Sequence, residues 1–132
     1  ELVIGSRWMP GGSVVDWPMR REVLSRGANL YARLMLGVPA HDMTAGYRVY
    51  STELLQRLDL ESLESRGYCF QIDMTVRSHD AGASISEVPI QFRDREAGES
   101  KMSGSIIGEA LTKVTGWGIG RRAAQLRALL PR

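Results

Sequence analysis

The sequence predicts an α/β fold, and three observations carry that prediction. Leu2-Val3-Ile4 is a short continuous apolar run closed by Gly5, the pattern of a buried, parallel strand. Stretches of helical periodicity then alternate with further strand-like runs at Gly46–Tyr50 and Ile85–Phe92. Glycine and proline punctuate the boundaries, at Pro10-Gly11-Gly12, Gly37, Pro39, Gly67 and Gly82. The series lacks the first few strands of a complete α/β sheet, and nothing in it suggests two domains.

The elements follow in order. Pro10-Gly11-Gly12-Ser13 reads as a flexible loop. Asp16 is placed to cap the next helix, with Pro18 in its first turn. That helix runs to about Gly37, with Val23, Leu24, Tyr31, Leu34 and Met35 along one side. Ser51 caps a brief helix bearing Leu54, Leu55 and Leu58. Gly67 precedes a third helix, from about Tyr68 to Asp80, ended by Gly82. Ile85–Phe92 is a strand, and Pro89 puts it at an edge or bulge. Arg93–Gly104 is polar and loop-like. Ser105–Trp117 is an amphipathic helix, and the basic tail beyond repeats Leu126, Leu129 and Leu130 at helical intervals.

Composition narrows the function classes. With 132 residues, 43% hydrophobic and 24% charged, the chain has the make-up of a folded domain. One cysteine, Cys69, excludes an internal disulfide framework, and two histidines, His41 and His79, make a histidine-built metal centre a poor fit. Both histidines lack ligand-spaced partners and read as ordinary surface residues; Cys69 reads as packed. A reducing, cytosolic setting is expected. No apolar run approaches the roughly 18 residues that span a bilayer. The chain begins as a strand entered partway through a domain, so a fragment is expected.

Charge is unevenly spread. Arg7–Arg48 holds six Arg/Lys against three Asp/Glu and Arg93–Arg132 eight against four, whereas Val49–Phe92 holds three against seven. Basic flanks around an acidic middle suggest local anion sites. Nucleic acid is a poor partner, because aromatic residues do not interleave with the basic ones.

Four clusters could carry chemistry. Arg7 follows a strand and a glycine, at the strand end where open α/β sheets bind ligands. Arg21 and Ser25, four apart on a helix, share a face, and an arginine fork beside a hydroxyl suits phosphate oxygens. The plainer account pairs Arg21 with a carboxylate. In Asp42-Met-Thr-Ala-Gly-Tyr-Arg48, Asp42 could bind a sugar or orient a basic residue; alternatively this is a turn that leaves Arg48 exposed. Gln71 and Asp73 open the third helix but point in different directions. Arg93-Asp-Arg95 with Gly98-Glu-Ser-Lys101 could close over a diphosphate, or be a solvated loop. Gly116-Trp-Gly-Ile-Gly120 is no dinucleotide loop, having neither a strand before it nor a suitably spaced acid after it.

Taken in order, Gly5-Ser-Arg7, Gly11-Gly12, Trp17-Pro18, Ser25-Arg-Gly27, Asp42-Met-Thr-Ala-Gly46-Tyr-Arg48, Gly67-Tyr-Cys-Phe-Gln71, Glu87-Val-Pro-Ile90 and Gly98-Glu-Ser-Lys101 resemble the second half of the dolichol-phosphate (polyprenol-phosphate) mannose synthases. These are inverting family 2 glycosyltransferases of the GT-A fold. The likeness covers Glu1 to about Trp117, implying residues 1–117 as the acceptor-binding part of a GT-A domain and 118–132 as a basic amphipathic tail. It implies mannose transfer from GDP-mannose to a polyprenyl phosphate on the cytoplasmic face of the membrane.

By that resemblance Arg7, Arg21 and Ser25 hold the acceptor phosphate, and Arg95 and Lys101 the donor diphosphate. Asp42, Gln71 and Asp73 are possible sugar or active-site contacts; Asp73 stands where many relatives carry Glu. The string Asp-x-Asp does not appear. Mg²⁺ or Mn²⁺ is therefore implied with its ligands outside this chain, in a missing N-terminal half, and the chain alone is expected to be inactive. A glucosyl- or aminosugar transferase acting on the same acceptor is the sibling alternative. A non-catalytic module that binds anionic lipid is the alternative of another class.

Overall fold

The computed structural model describes residues 1–63, 68–94 and 104–131. It is mixed α/β, with a small mixed sheet and flanking helices. Strand β1 (Leu2–Ser6) is central in a three-stranded sheet, between β3 (Arg48–Tyr50) and β4 (Ile85–Pro89). It runs antiparallel to β3, with Val3 opposite Val49, and parallel to β4, with Ile4 opposite Glu87. Leu2 and Ile4 are wholly buried, as the apolar run requires of a central strand.

A second sheet pairs β2 (Ser13–Val15) with β5 (Gln91–Arg93) in parallel. The expectations of a loop through Ser13 and of one strand over Ile85–Phe92 are both corrected here. The chain changes sheets at Ile90, whose N–H donates to Ser6 O while its carbonyl accepts from Ser13 N. Pro89 fits just before that switch because β4 is an edge strand and the bonds to β1 on either side run through Ser84 O and Ile90 N, so its missing N–H leaves the ladder intact.

Helix α1 (Met19–Leu36) ends as expected, at Gly37 in the left-handed conformation. Its start differs. Pro18 occupies the N-cap, no side chain caps the helix, and Asp16 stands in the chain reversal before it with φ 59°. The buried face also differs, comprising Ser25, Asn29, Ala32 and Leu36. Of the expected apolar stripe, Tyr31 and Met35 pack against the core, whereas Val23, Leu24 and Leu34 are 61%, 42% and 64% exposed. Close approach of a second helix selects small side chains inward, and a hydrogen-bonded loop selects polar ones.

That second helix is α4 (Gly104–Leu129), which runs unbroken across residue 117, where a separate tail was expected. Arg121 Nε donates to Leu36 O, and its Nη1 pairs with Asp80 at 2.6 Å. Between them lie α2 (Thr52–Arg57), capped by the Ser51 side chain, and α3 (Tyr68–Asp80), both as anticipated. The core joins Leu2, Ile4, Leu36, Met43, Leu54, Ile72 and Val114.

Candidate functional site

Arg7 comes directly after β1 and is only 7% exposed. A buried guanidinium must be paired, and Asp42, wholly buried, is its partner. The contact is bidentate: Arg7 Nε donates to Asp42 Oδ2 at 2.8 Å and Nη2 to Oδ1 at 2.9 Å. The Arg7 backbone N–H adds a third bond to Oδ2 at 3.0 Å, and Nη2 also reaches Thr44 Oγ1 at 2.9 Å. Nη1 takes no hydrogen-bond partner among the described residues. The guanidinium is thus fixed on one side and free to donate on the other.

The loop that supplies Asp42 and Thr44 is held from three directions. Glu87 on β4 accepts the backbone N–H groups of His41 and Asp42, and its other oxygen lies 2.7 Å from His41 Nδ1. Asn29 on α1 accepts from Met43 N and donates to Thr44 Oγ1. Arg48 donates to the carbonyls of Met43, Ala45 and Gln71 and to Thr75 Oγ1. Arg48 is therefore not the exposed residue of a simple turn, and His41 is not a free surface histidine. Arg21, Ser25 and Asn29 are spaced at i, i+4 and i+8, a periodicity that could have revealed Asn29 beforehand.

Aromatic rings surround the arginines. Trp17 packs edge-on to Trp8 and Phe92, with centroids 5.9 and 5.8 Å away. Arg21 Cζ lies 3.7 Å from the Trp17 centroid and Arg7 Cζ 5.5 Å from it, so one indole brings both guanidiniums together. Arg21 also pairs with Asp94 at 2.5 and 3.2 Å, as the plainer sequence account anticipated. Trp8 Nε1, Trp17 Nε1 and Arg21 Nε are buried donors without a partner among the described residues. Each such orphan costs about 1–3 kcal/mol unless an acceptor arrives.

Beside Arg7 opens a cavity of about 60 Å³. Arg7, Ser25, Asn29 and Thr44 line it together with Leu24, Ala28, Ala32, Ile72, Leu111 and Val114. Cation and hydroxyls next to an aliphatic wall suit an anionic head group carrying a hydrocarbon chain. No protein-family model matches the chain. It is 55% identical over 130 residues to the polyprenol monophosphomannose synthase of Mycolicibacterium smegmatis, covering 98% of this chain and 49% of that protein. It is 53% identical over 130 residues to the undecaprenyl-phosphate mannosyltransferase of Micrococcus luteus, covering 98% and 54%. The chain is a homologue of about half of each.

The remaining expected residues fall elsewhere. Asp73 turns away from the Arg7 group, pairing with Arg77 at 2.8 Å, while Arg77 also binds Asp59 O and Ser62 Oγ. Gln71 sits nearer the loop: its Nε2 is 4.0 Å from where a Cβ on Gly46 would stand. Arg95 and Lys101 lie outside the described residues. Cys69 is buried, as expected, and burial pushes its thiol above the ordinary range, with Lys113 partly opposing.

Proposed function

We propose that this chain is the acceptor-binding part of a transferase that moves mannose from GDP-mannose to a polyprenyl phosphate, with inversion, on a GT-A-type family 2 domain. The observation that carries the reading is the 53–55% identity, across nearly the whole chain, to a polyprenol monophosphomannose synthase and an undecaprenyl-phosphate mannosyltransferase. The site supports it. Arg7 Nη1 and Ser25 are disposed to meet phosphate oxygens, and the aliphatic wall to take the first prenyl carbons. Arg21 joins them by exchanging Asp94 for the phosphate. Asp42, with both oxygens on Arg7, orients that guanidinium.

The acceptor phosphate is anionic at neutral pH and attacks the sugar carbon without a general base. The residues of this chain position it and balance its charge. Arg95 and Lys101 would hold the donor diphosphate. Mg²⁺ or Mn²⁺ would draw its ligands from outside this chain. The described residues contain no group of three or more His, Cys, Asp or Glu suited to a metal, and no step is assigned to one. No helix among the described residues is long and apolar enough to cross a membrane. Peripheral attachment to the cytoplasmic face would use the exposed Met19, Val23, Leu30 and Leu34 of α1 and the outward leucines of α4.

The test is a chimera in which this chain replaces the matching segment of the Mycolicibacterium smegmatis relative. It should transfer mannose from GDP-mannose to farnesyl phosphate, and Arg7→Ala should lower kcat/KM about 100-fold. Preference for UDP-glucose, or full turnover by the Arg7→Ala chimera, would overturn the reading.

A further inference from the structure

We propose that Glu87 is a positioning residue for the acceptor phosphate, acting through Asp42 to aim the Arg7 guanidinium at the cavity. The inference rests on the reading of Arg7 as a phosphate ligand. Glu87 projects from β4 with a side chain only 9% exposed, and one of its oxygens accepts two consecutive backbone N–H groups, His41 at 2.9 Å and Asp42 at 3.0 Å. That contact fixes the main chain from which the Asp42 carboxylate departs. Asp42 in turn binds the Arg7 backbone N–H and both edges of its fork. Two carboxylates in series thus connect a strand to one guanidinium, and the second is wholly buried.

Geometry makes the connection stiff. Three bonds to Asp42 leave the Arg7 fork one orientation, and the backbone of Asp42 has a single anchor on β4. With Asn29 and Arg48 still holding Met43, loss of that anchor lets the Asp42 end of the loop shift, and the Arg7 fork shifts with it while the charge of Arg7 persists. Acceptor binding then weakens with no direct change to the donor side. A residue that merely held the fold together would lower the amount of folded protein instead, affecting both substrates alike.

The experiment uses the same chimera with farnesyl phosphate and GDP-mannose. Glu87→Ala is expected to raise KM for farnesyl phosphate about tenfold while KM for GDP-mannose stays within about twofold. Glu87→Gln, which keeps one oxygen for the two N–H groups, is expected to recover most of that loss. In an Arg7→Ala background, Glu87→Ala should add nothing further, because the residue through which it acts is gone. Equal changes in both KM values, or independent losses that add in the double variant, would overturn the proposal while leaving Arg7 as a ligand. An Arg7→Ala chimera with normal acceptor KM would overturn the phosphate reading itself, and the role of Glu87 with it. Should Glu87→Ala not fold, Glu87→Gln decides through its own KM values. A wild-type acceptor KM supports the two-bond anchor, and a rise in both KM values refutes it.

Discussion

Arg48 donates hydrogen bonds to three backbone carbonyls and two hydroxyls from within a seven-residue motif that also holds Asp42 and Thr44. Its removal takes the side-chain donor from the carbonyls of Met43 and Ala45 in a partly buried setting, while Gln71 O keeps the Thr75 hydroxyl. Arg48→Ala should therefore cost about 3 kcal/mol in urea unfolding, and Arg48→Lys should recover only part, lacking the planar fork. Cys69 offers a second test. Its folded pKa lies above the unfolded one, so the folded state keeps the proton across that alkaline interval and stability falls as pH rises through it. Iodoacetamide at pH 8 should label Cys69 only on adding denaturant. The residue types at the site were legible in the sequence because spacing and order are local. Which carboxylate meets which arginine was not, since Arg7–Asp42 spans 35 positions and Arg21–Asp94 spans 73.

Three helix ends were well read, whereas the start of α1 and the far end of α4 were not. Ser51, Gly37 and Gly82 act through the backbone within a few residues, and each stands where its chemistry requires. The face of α1 was only partly read: Tyr31 and Met35 pack inward, while Val23 and Leu34, with the spacing of a core stripe, are exposed. Gly118 of α4 meets Met35 on the inward side. A Cβ on Gly118 would stand 2.7 Å from Met35 Cε and 3.0 Å from Met35 O, whereas one on Gly120 would meet nothing within 4 Å. Gly118→Val should destabilise by about 1–3 kcal/mol through overpacking. Gly120→Ala should stabilise by about 0.5–1 kcal/mol through helix propensity. Thermal melts of the two variants should move in opposite directions. Gly118 thus serves helix contact, whereas Gly116 and Gly120 meet nothing within 4 Å.

At the scale of the molecule, the sheet presents two edges where a fuller α/β sheet would continue, and α1 and α4 turn long apolar side chains outward. Met19, Val23, Leu30 and Leu34 are each more than half exposed, as are Ile119, Leu126, Leu129 and Leu130. Such surface favours association. The isolated chain should sediment as oligomers that dissociate in mild detergent; a detergent-independent monomer in the ultracentrifuge would contradict this. The α/β class was readable from apolar runs and turn residues, but the second sheet was not. Its strands are three residues each and carry too little pattern to announce themselves.

The parallel pairing of β1 with β4 also constrains the order of assembly, since Leu2 finds Ile85 only after most of the chain exists. A nascent polypeptide leaving the ribosome would hold β1 unpaired on that side while α1, α2 and α3 form by local contacts. So wide a sequence separation makes closure of this strand pair a late event. Until β4 emerges, that side of β1 would be a segment in need of a chaperone.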